Sequence, residues 1–325
     1  MRILIAGAGA IGGYMGALLA RAGEDVTLFA RGAHLSAMQQ RGLRILSADG
    51  DFEVRPKLIG SLQDAGAFDK DAGPFDVIII GVKAHALTSL APELKPLIGP
   101  ETTVVSTQNG IPWWYCNLQS VDPGGIIAAS IDSSRVVGSI VYLGTEIAEP
   151  GVIRHMEGNR ITLGEPDGTR SERCRALAET LIRAGLRCPV TTRLRQEIWV
   201  KLLGNVAFNP LSALTRATLA QMARDPGVRN VVVSIMNEVV AVAGRLGIEM
   251  PISINQRIAG AEKLGDHKTS MLQDLEAGRA LEIEPVAGAV LEMGARLGID
   301  MPQTRAIYAC TKLLEATTIT SGRAK

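Results

Sequence analysis

The sequence predicts an α/β N-terminal domain built on an open parallel sheet, followed by an all-helical C-terminal domain. Two observations carry this expectation. The first thirty residues read as strand, glycine turn, helix and strand. Near residue 193 the alternation of strands and helices gives way to helical patterning that continues to the end of the chain. A length of 325 residues suits two domains better than one core.

Taken in order, residues 2–6 (RILIA) form an apolar run of strand length, 11–22 a helix, and 25–30 (DVTLFA) a second strand. A helix between two strands implies parallel pairing. Further strands are expected at 76–80, 102–106 and 136–142, with short β pieces at 152–154 and 161–163. A helix over 171–185 closes the first domain near Gly185. Helices are then expected over 194–208, 210–222, 228–246, 252–263, 267–278, 281–297 and 303–316. The domains are therefore drawn as 1–192 and 193–325. Within the second, AGRLGIEMP at 243–251 resembles GARLGIDMP at 294–302. Both read as helix ends with Gly247 or Gly298 as left-handed cap and Pro251 or Pro302 opening the next helix.

Composition excludes several classes. The 34 basic and 33 acidic side chains nearly cancel, without the clustered basic charge that nucleic acid or an anionic membrane demands. Ile3 to Ala20 carry no charge, which could suggest a signal peptide or membrane span. Gly7, Gly9, Gly12, Gly13 and Gly16 interrupt that run and make it a poor continuous helix. With no other long apolar run, a cytoplasmic protein is expected. Cys116, Cys174, Cys188 and Cys310 are widely spaced and match no metal pattern, so idle or buried thiols and no metal site are expected. Oligomeric state is not written in the pattern, although the apolar helices could support a homodimer.

Gly7-Ala8-Gly9-Ala10-Ile11-Gly12 gives the first chemical signal. A G-x-G-x-x-G motif alone is weak, but here it follows a strand and opens a helix, the context of a Rossmann-type dinucleotide site. Gly7 permits the tight turn, Gly9 lets a pyrophosphate approach the backbone, and Gly12 lets helix pack on strand. The second strand ends in Phe29-Ala30-Arg31, with no carboxylate for a ribose 2′-hydroxyl. The Arg31 guanidinium suits a 2′-phosphate, so NADP is expected rather than NAD. Lys83 and Asn109-Gly110 follow later strands at the carboxyl edge of the sheet, where ligands of such sheets bind. A surface lysine and an ordinary Asn-Gly turn would look the same.

Two helical stretches could carry catalysis. In WVKLLGNVAFNP at 199–210, Lys201, Asn205 and Asn209 are four residues apart, so each step turns only about 40° and all three share a stripe. A ligand bearing carboxylate and carbonyl oxygens would satisfy them, and so would an ordinary polar face. SMLQDLEAGRALEIE at 270–284 holds Ser270, Asp274, Arg279, Glu282 and Glu284. As one helix it would put Glu282 on the stripe of Met271, Leu275 and Gly278, and its pattern alone reads as a solvated face.

Together these segments resemble the ketopantoate reductases (2-dehydropantoate 2-reductases). The likeness rests on GAGAIG at 7–12, Arg31, VK at 82–83, QNG at 108–110, KLLGNVAFNPLSAL at 201–214 and SMLQDLEAGRALEIE at 270–284, in that order. It implies a Rossmann domain followed by a helical one, and the NADPH-dependent reduction of ketopantoate to pantoate in pantothenate biosynthesis. It further implies that Lys201 is the general acid and that Glu282 contacts substrate hydroxyl and cofactor. Asn109 would touch both cofactor and substrate, and Asn205, Asn209 and Ser270 the substrate. Family members often carry Thr-Glu-Ile-Asp and then Asn-Gly where this chain has Leu281-Glu282-Ile283-Glu284 and Ala287-Gly288. Leu219 stands near a substrate-contacting asparagine of some members, and Trp113-Trp114-Tyr115 could wall a differently shaped pocket or simply pack a loop. The alternatives are a reductase of another oxo acid, a noncatalytic NADP-sensing protein, and an opine-type dehydrogenase that would require an amine.

Overall fold

Strand β1 (Arg2–Ala6) and strand β2 (Asp25–Phe29) pair in parallel, joined by helix α1 (Ala10–Arg21). Ile3, Leu4 and Ile5 are fully buried, as expected where both faces of a parallel sheet are covered. The computed structural model describes residues 1–66 and 73–323, which cluster into two compact units. The first holds Met1–Gln108 and Gly124–Leu194, and the second Asn109–Pro123 and Arg195–Lys325. Contacts thus assign 109–123 to the second unit.

The first unit contains a nine-stranded mixed sheet. Its further strands are β3 (Leu43–Leu46), β4 (Phe52–Val54), β5 (Lys57–Ile59), β6 (Val77–Ile80), β7 (Thr103–Ser106), β8 (Val136–Glu149) and β9 (Val152–Gly164). The spatial order is β4-β3-β9-β8-β7-β6-β1-β2-β5. From β5 across to β8 every pairing is parallel. The sheet departs from all-parallel at the antiparallel β3–β4 pair and at the antiparallel β8–β9 hairpin, which turns at Gly151 with φ +82°. The expected short pieces at 152–154 and 161–163 are the two ends of β9. Exposed residues from Glu157 to Asn159 interrupt the apolar run between them, because there the hairpin faces solvent.

Between Arg31 and Phe75 the sequence predicts no element, yet helix α2 (Gly32–Arg41) and strands β3 to β5 form there. The strands have three or four residues, too few to show a period. Helix α3 (Ala84–Leu94) follows β6, and a short helix α4 (Ile126–Ser130) precedes β8. Helix α5 (Glu172–Arg183) starts at a Ser171 cap and stops before Gly185 at φ +98°, close to its predicted limits.

The second unit is helical. Helices over 194–208 and 210–222 were expected to be separate, but α6 (Leu194–Thr215) runs through Pro210. Proline removes one bond to the carbonyl a turn earlier. Burial of Phe208, Leu211 and Ala213 on both sides keeps the helix continuous, and it ends at Arg216 with φ +61°. Then follow α7 (Leu219–Arg224), α8 (Pro226–Arg245), α9 (Ile254–Lys263), α10 (Ser270–Glu276), α11 (Ala289–Arg296) and α12 (Pro302–Arg323). The repeated corners are genuine. Ile248 N–H bonds the Ala243 carbonyl and Ile299 N–H that of Gly294, with Gly247 and Gly298 left-handed between them. Pro302 opens α12, whereas Pro251 lies outside α9, which starts at a Ser253–Gln256 capping box.

Two further expectations change. The stretch 270–284 is not one helix: α10 stops at Glu276, Gly278 has φ +65°, and a π-helical turn spans Glu284–Gly288 before α11. The common stripe of Glu282 with Met271 and Leu275 therefore does not exist. Second, α8 is a long apolar run, with a mean hydropathy of 1.3 over its best window. Its buried Val232, Ile235, Met236, Val239, Val242 and Ala243 recur at helical spacing, the pattern of a helix laid on a core.

Candidate active site

In the first unit, the carboxyl ends of adjacent strands β6, β1 and β2 deliver Lys83, the glycine turn and Arg31. Gly7 has φ +112°, and a Cβ there would strike Val82. A Cβ on Gly12 would strike the Gly7 carbonyl oxygen. Ala8 is buried, and its N–H bonds the Phe29 carbonyl at 2.8 Å, which ties the turn to the end of β2. Gly9 differs from both, since nothing lies within 4 Å of a methyl built on it. Gly9 is also the cap of α1, with no side chain capping the N–H groups of Ala10, Ile11 and Gly12. An open glycine before an uncapped helix fits a dinucleotide pyrophosphate.

Arg31 is exposed at the cap of α2. Its guanidinium lies 4.9 Å from the Phe29 ring centroid and 3.8 Å from Glu93. Such an exposed, loose ion pair leaves the fork able to take another anion. Lys83 occupies the cap of α3 and is half-buried. After β7, Gln108 donates to the Val82 carbonyl at 3.3 Å.

The second unit brings three sequence candidates together. The Lys201 ammonium donates to Oδ1 of Asn109 at 2.8 Å, and Nδ2 of Asn109 donates to Oε2 of Glu282 at 3.1 Å. Only one orientation of an amide meets a cation with its oxygen and a carboxylate with its nitrogen, so this pairing fixes the Asn109 rotamer. Loss of water around Lys201 lowers its pKa to about 8, against the opposite pull of the Glu282 carboxylate. Asn205 and Asn209 continue the Lys201 stripe along α6, half-buried and buried respectively. Ser270 is exposed at the start of α10, where Thr269 provides the cap.

Residues without an evident sequence signal hold this set in place. Ile111 N–H bonds the Pro285 carbonyl at 2.8 Å. Gly110 has φ +82°, and a Cβ there would overlap the same carbonyl. The QNG turn is thus fastened to the π-helical turn that follows Glu282. On α12, Glu315 accepts from Leu281 N–H at 2.8 Å, while Tyr308 and Lys312 both reach Glu284 at 2.9 Å. Burial and the Glu284 carboxylate push the Tyr308 hydroxyl up to about 12, so it stays a donor. Glu282 is therefore clamped on either side by one face of α12.

The aromatic segment packs rather than opens. Trp113, Trp114 and Tyr115 are all buried. Trp199 Nε1 on α6 donates to the Tyr115 hydroxyl at 2.8 Å, and Arg195 lies over the Tyr115 ring. All four cysteines are free.

A largely parallel sheet with a glycine turn, followed by a helical unit carrying a desolvated lysine, defines an oxidoreductase of the dinucleotide-dependent type. Two family models match: "Ketopantoate reductase PanE/ApbA" over residues 3–168 and its C-terminal counterpart over 193–315. A 2-dehydropantoate 2-reductase from Mesorhizobium japonicum is 46% identical, over 97% of this chain and 98% of its own. Among solved structures, a chain from Ralstonia solanacearum MolK2 assigned to the ketopantoate reductases superposes with a TM-score of 0.91 at 39% identity, covering 98% of both chains. A 2-dehydropantoate 2-reductase from Geobacter metallireducens GS-15 gives 0.85 at 30%, over 96% of this chain and 99% of that one. The chain belongs to the ketopantoate reductase family.

Proposed function

We propose that the protein reduces 2-dehydropantoate to pantoate with NADPH, in pantothenate biosynthesis in the cytoplasm. The observation that carries this reading is the Lys201–Asn109–Glu282 chain of hydrogen bonds in a member of this family. Residues 1–192 hold the dinucleotide and 193–325 supply the acid-binding groups, with Asn109 serving both.

Gly7, Ala8, Gly9, Ala10, Ile11 and Gly12 receive the pyrophosphate, Arg31 takes the 2′-phosphate, and Lys83 adds positive charge at the same sheet edge. The bound dinucleotide supplies hydride to the substrate carbonyl carbon. Negative charge then grows on the carbonyl oxygen. The Lys201 ammonium stabilises that charge and donates its proton, leaving a neutral amine that a pKa of about 8 makes accessible. Asn109 aims the ammonium by accepting from it while donating to Glu282. Asn205, Asn209 and Ser270 orient the carboxylate and hydroxyl of the acid, and Glu282 accepts from the substrate hydroxyl.

Consumption of NADPH by the purified protein with ketopantoate tests this reading. Turnover that requires Lys201 supports it, and no turnover with ketopantoate refutes the substrate. Exchange of Thr-Glu-Ile-Asp for Leu281-Glu282-Ile283-Glu284 favours one second reading, a different 2-oxo acid, which a panel of such acids would identify.

A further inference from the structure

Lys201 already has work to do at the carbonyl oxygen, and Glu282 cancels its charge. The remaining acid-binding candidates, Asn205, Asn209 and Ser270, are neutral. A 2-oxo acid nevertheless brings a carboxylate into the same place, and a desolvated carboxylate calls for a cation with a matching fork. Helix α6 meets such a cation at Gly204. The position carries no side chain, and the Arg257 guanidinium from α9 lies against it. A Cβ at 204 would overlap Nη2, with Cζ at 2.5 Å and Nε at 2.6 Å. On the helix Gly204 lies three residues after Lys201, so it faces about 60° to one side of the ammonium, whereas Asn205 faces about 40° to the other. The guanidinium thus flanks the Lys201 stripe opposite the asparagines, one turn further along.

We infer that Arg257 adds the charged contact to the substrate carboxylate beside the neutral contacts of Asn205, Asn209 and Ser270, and that Gly204 is glycine so that the guanidinium can reach the Lys201 stripe. This rests on the proposed oxo-acid reduction. The fork pairs with the two carboxylate oxygens, which turns the neighbouring carbonyl toward Lys201. Arg257 is half-buried against α6, which limits the water that competes for a carboxylate there.

The test compares wild-type protein with Arg257→Gln, Arg257→Lys and Gly204→Ala. Each is assayed with NADPH on a panel of 2-oxo acids, ketopantoate included, and on their methyl esters. NADPH affinity is measured separately by fluorescence. Arg257→Gln should raise KM for the acids by about 10- to 100-fold, the worth of one hydrogen bond to a charged group. KM for the esters and NADPH affinity should stay within a few-fold. Arg257→Lys should recover part of the loss, and Gly204→Ala, which displaces the guanidinium, should reproduce it. Equal losses for acid and ester, or an unchanged KM for the acids, would overturn the assignment and leave Arg257 a packing residue. Wild-type turnover of another 2-oxo acid but not ketopantoate would refute the substrate reading and leave the Arg257 comparison valid on that acid. No turnover of any 2-oxo acid would overturn both.

Discussion

The surroundings of Lys201 fit it for proton transfer. A solvated lysine stays protonated far above neutral pH. Burial brings this one to about 8, within reach of proton transfer at physiological pH. In the proposed reaction the ammonium is the acid, and it is lost as pH rises, so kcat/KM for reduction should decline as pH passes through about 8. Lys201→Arg should move that limb out of range, because a guanidinium does not deprotonate there. Lys201→Ala should lower kcat by about 10²- to 10⁴-fold with the circular dichroism spectrum unchanged. Asn109→Asp replaces the amide donor with a second carboxylate facing Glu282. It should lower kcat/KM through like-charge repulsion beside Glu282, measured against the wild type by steady-state kinetics. The lysine and both asparagines of α6 were legible in the sequence because a spacing of four means one face of a helix. Arg257 was not, since its meaning depends on the bare backbone of a glycine 53 positions earlier.

At the scale of elements, positioning is done by segments that the sequence read poorly. The stretch 270–284 looked like one amphipathic helix, but Gly278 breaks it and Glu282 emerges from a non-helical link into a π-helical turn. Periodicity could not reveal this, because Met271, Leu275 and Glu282 keep helical spacing across the break. What fixes Glu282 is long-range: Leu281 on Glu315, and Glu284 on Tyr308 and Lys312. Removal of the Tyr308 hydroxyl in Tyr308→Phe should therefore reduce kcat by several-fold while sparing NADPH affinity, as measured by steady-state kinetics beside cofactor titration. Gly110→Ala should be harsher. Its φ of +82° and its contact with the Pro285 carbonyl should cost about 1–3 kcal/mol of stability, read from chemical denaturation, together with activity from a displaced Asn109. The pieces expected at 152–154 and 161–163 do not read as one strand for a simpler reason, that the polar middle of β9 hides its continuity.

For the molecule as a whole, the first thirty residues and the change of pattern near residue 193 contained most of the architecture. Local rules suffice for a βαβ start, whereas membership of Asn109–Pro123 in the second unit is a matter of contacts alone. A chain with net charge +1 has no general field to draw in an anionic dinucleotide, so affinity must come from the local groups at the sheet edge. Ligand binding to the folded state stabilises it by about 2.7 kcal/mol at a hundred times Kd. NADPH should accordingly raise the thermal midpoint more than NADH at equal concentration, and Arg31→Ala should erase the difference. An equal shift from both cofactors in the wild type would remove the 2′-phosphate role of Arg31.

The most direct measurement is the rate of NADPH oxidation by ketopantoate, followed by absorbance, for wild-type protein beside Lys201→Ala. The account predicts rapid consumption with pantoate as product in the wild type, and collapse of kcat in the variant with NADPH still bound. A variant that turns over ketopantoate at the wild-type rate would contradict the central role of Lys201, and a wild type that binds NADPH but leaves ketopantoate untouched would contradict the substrate.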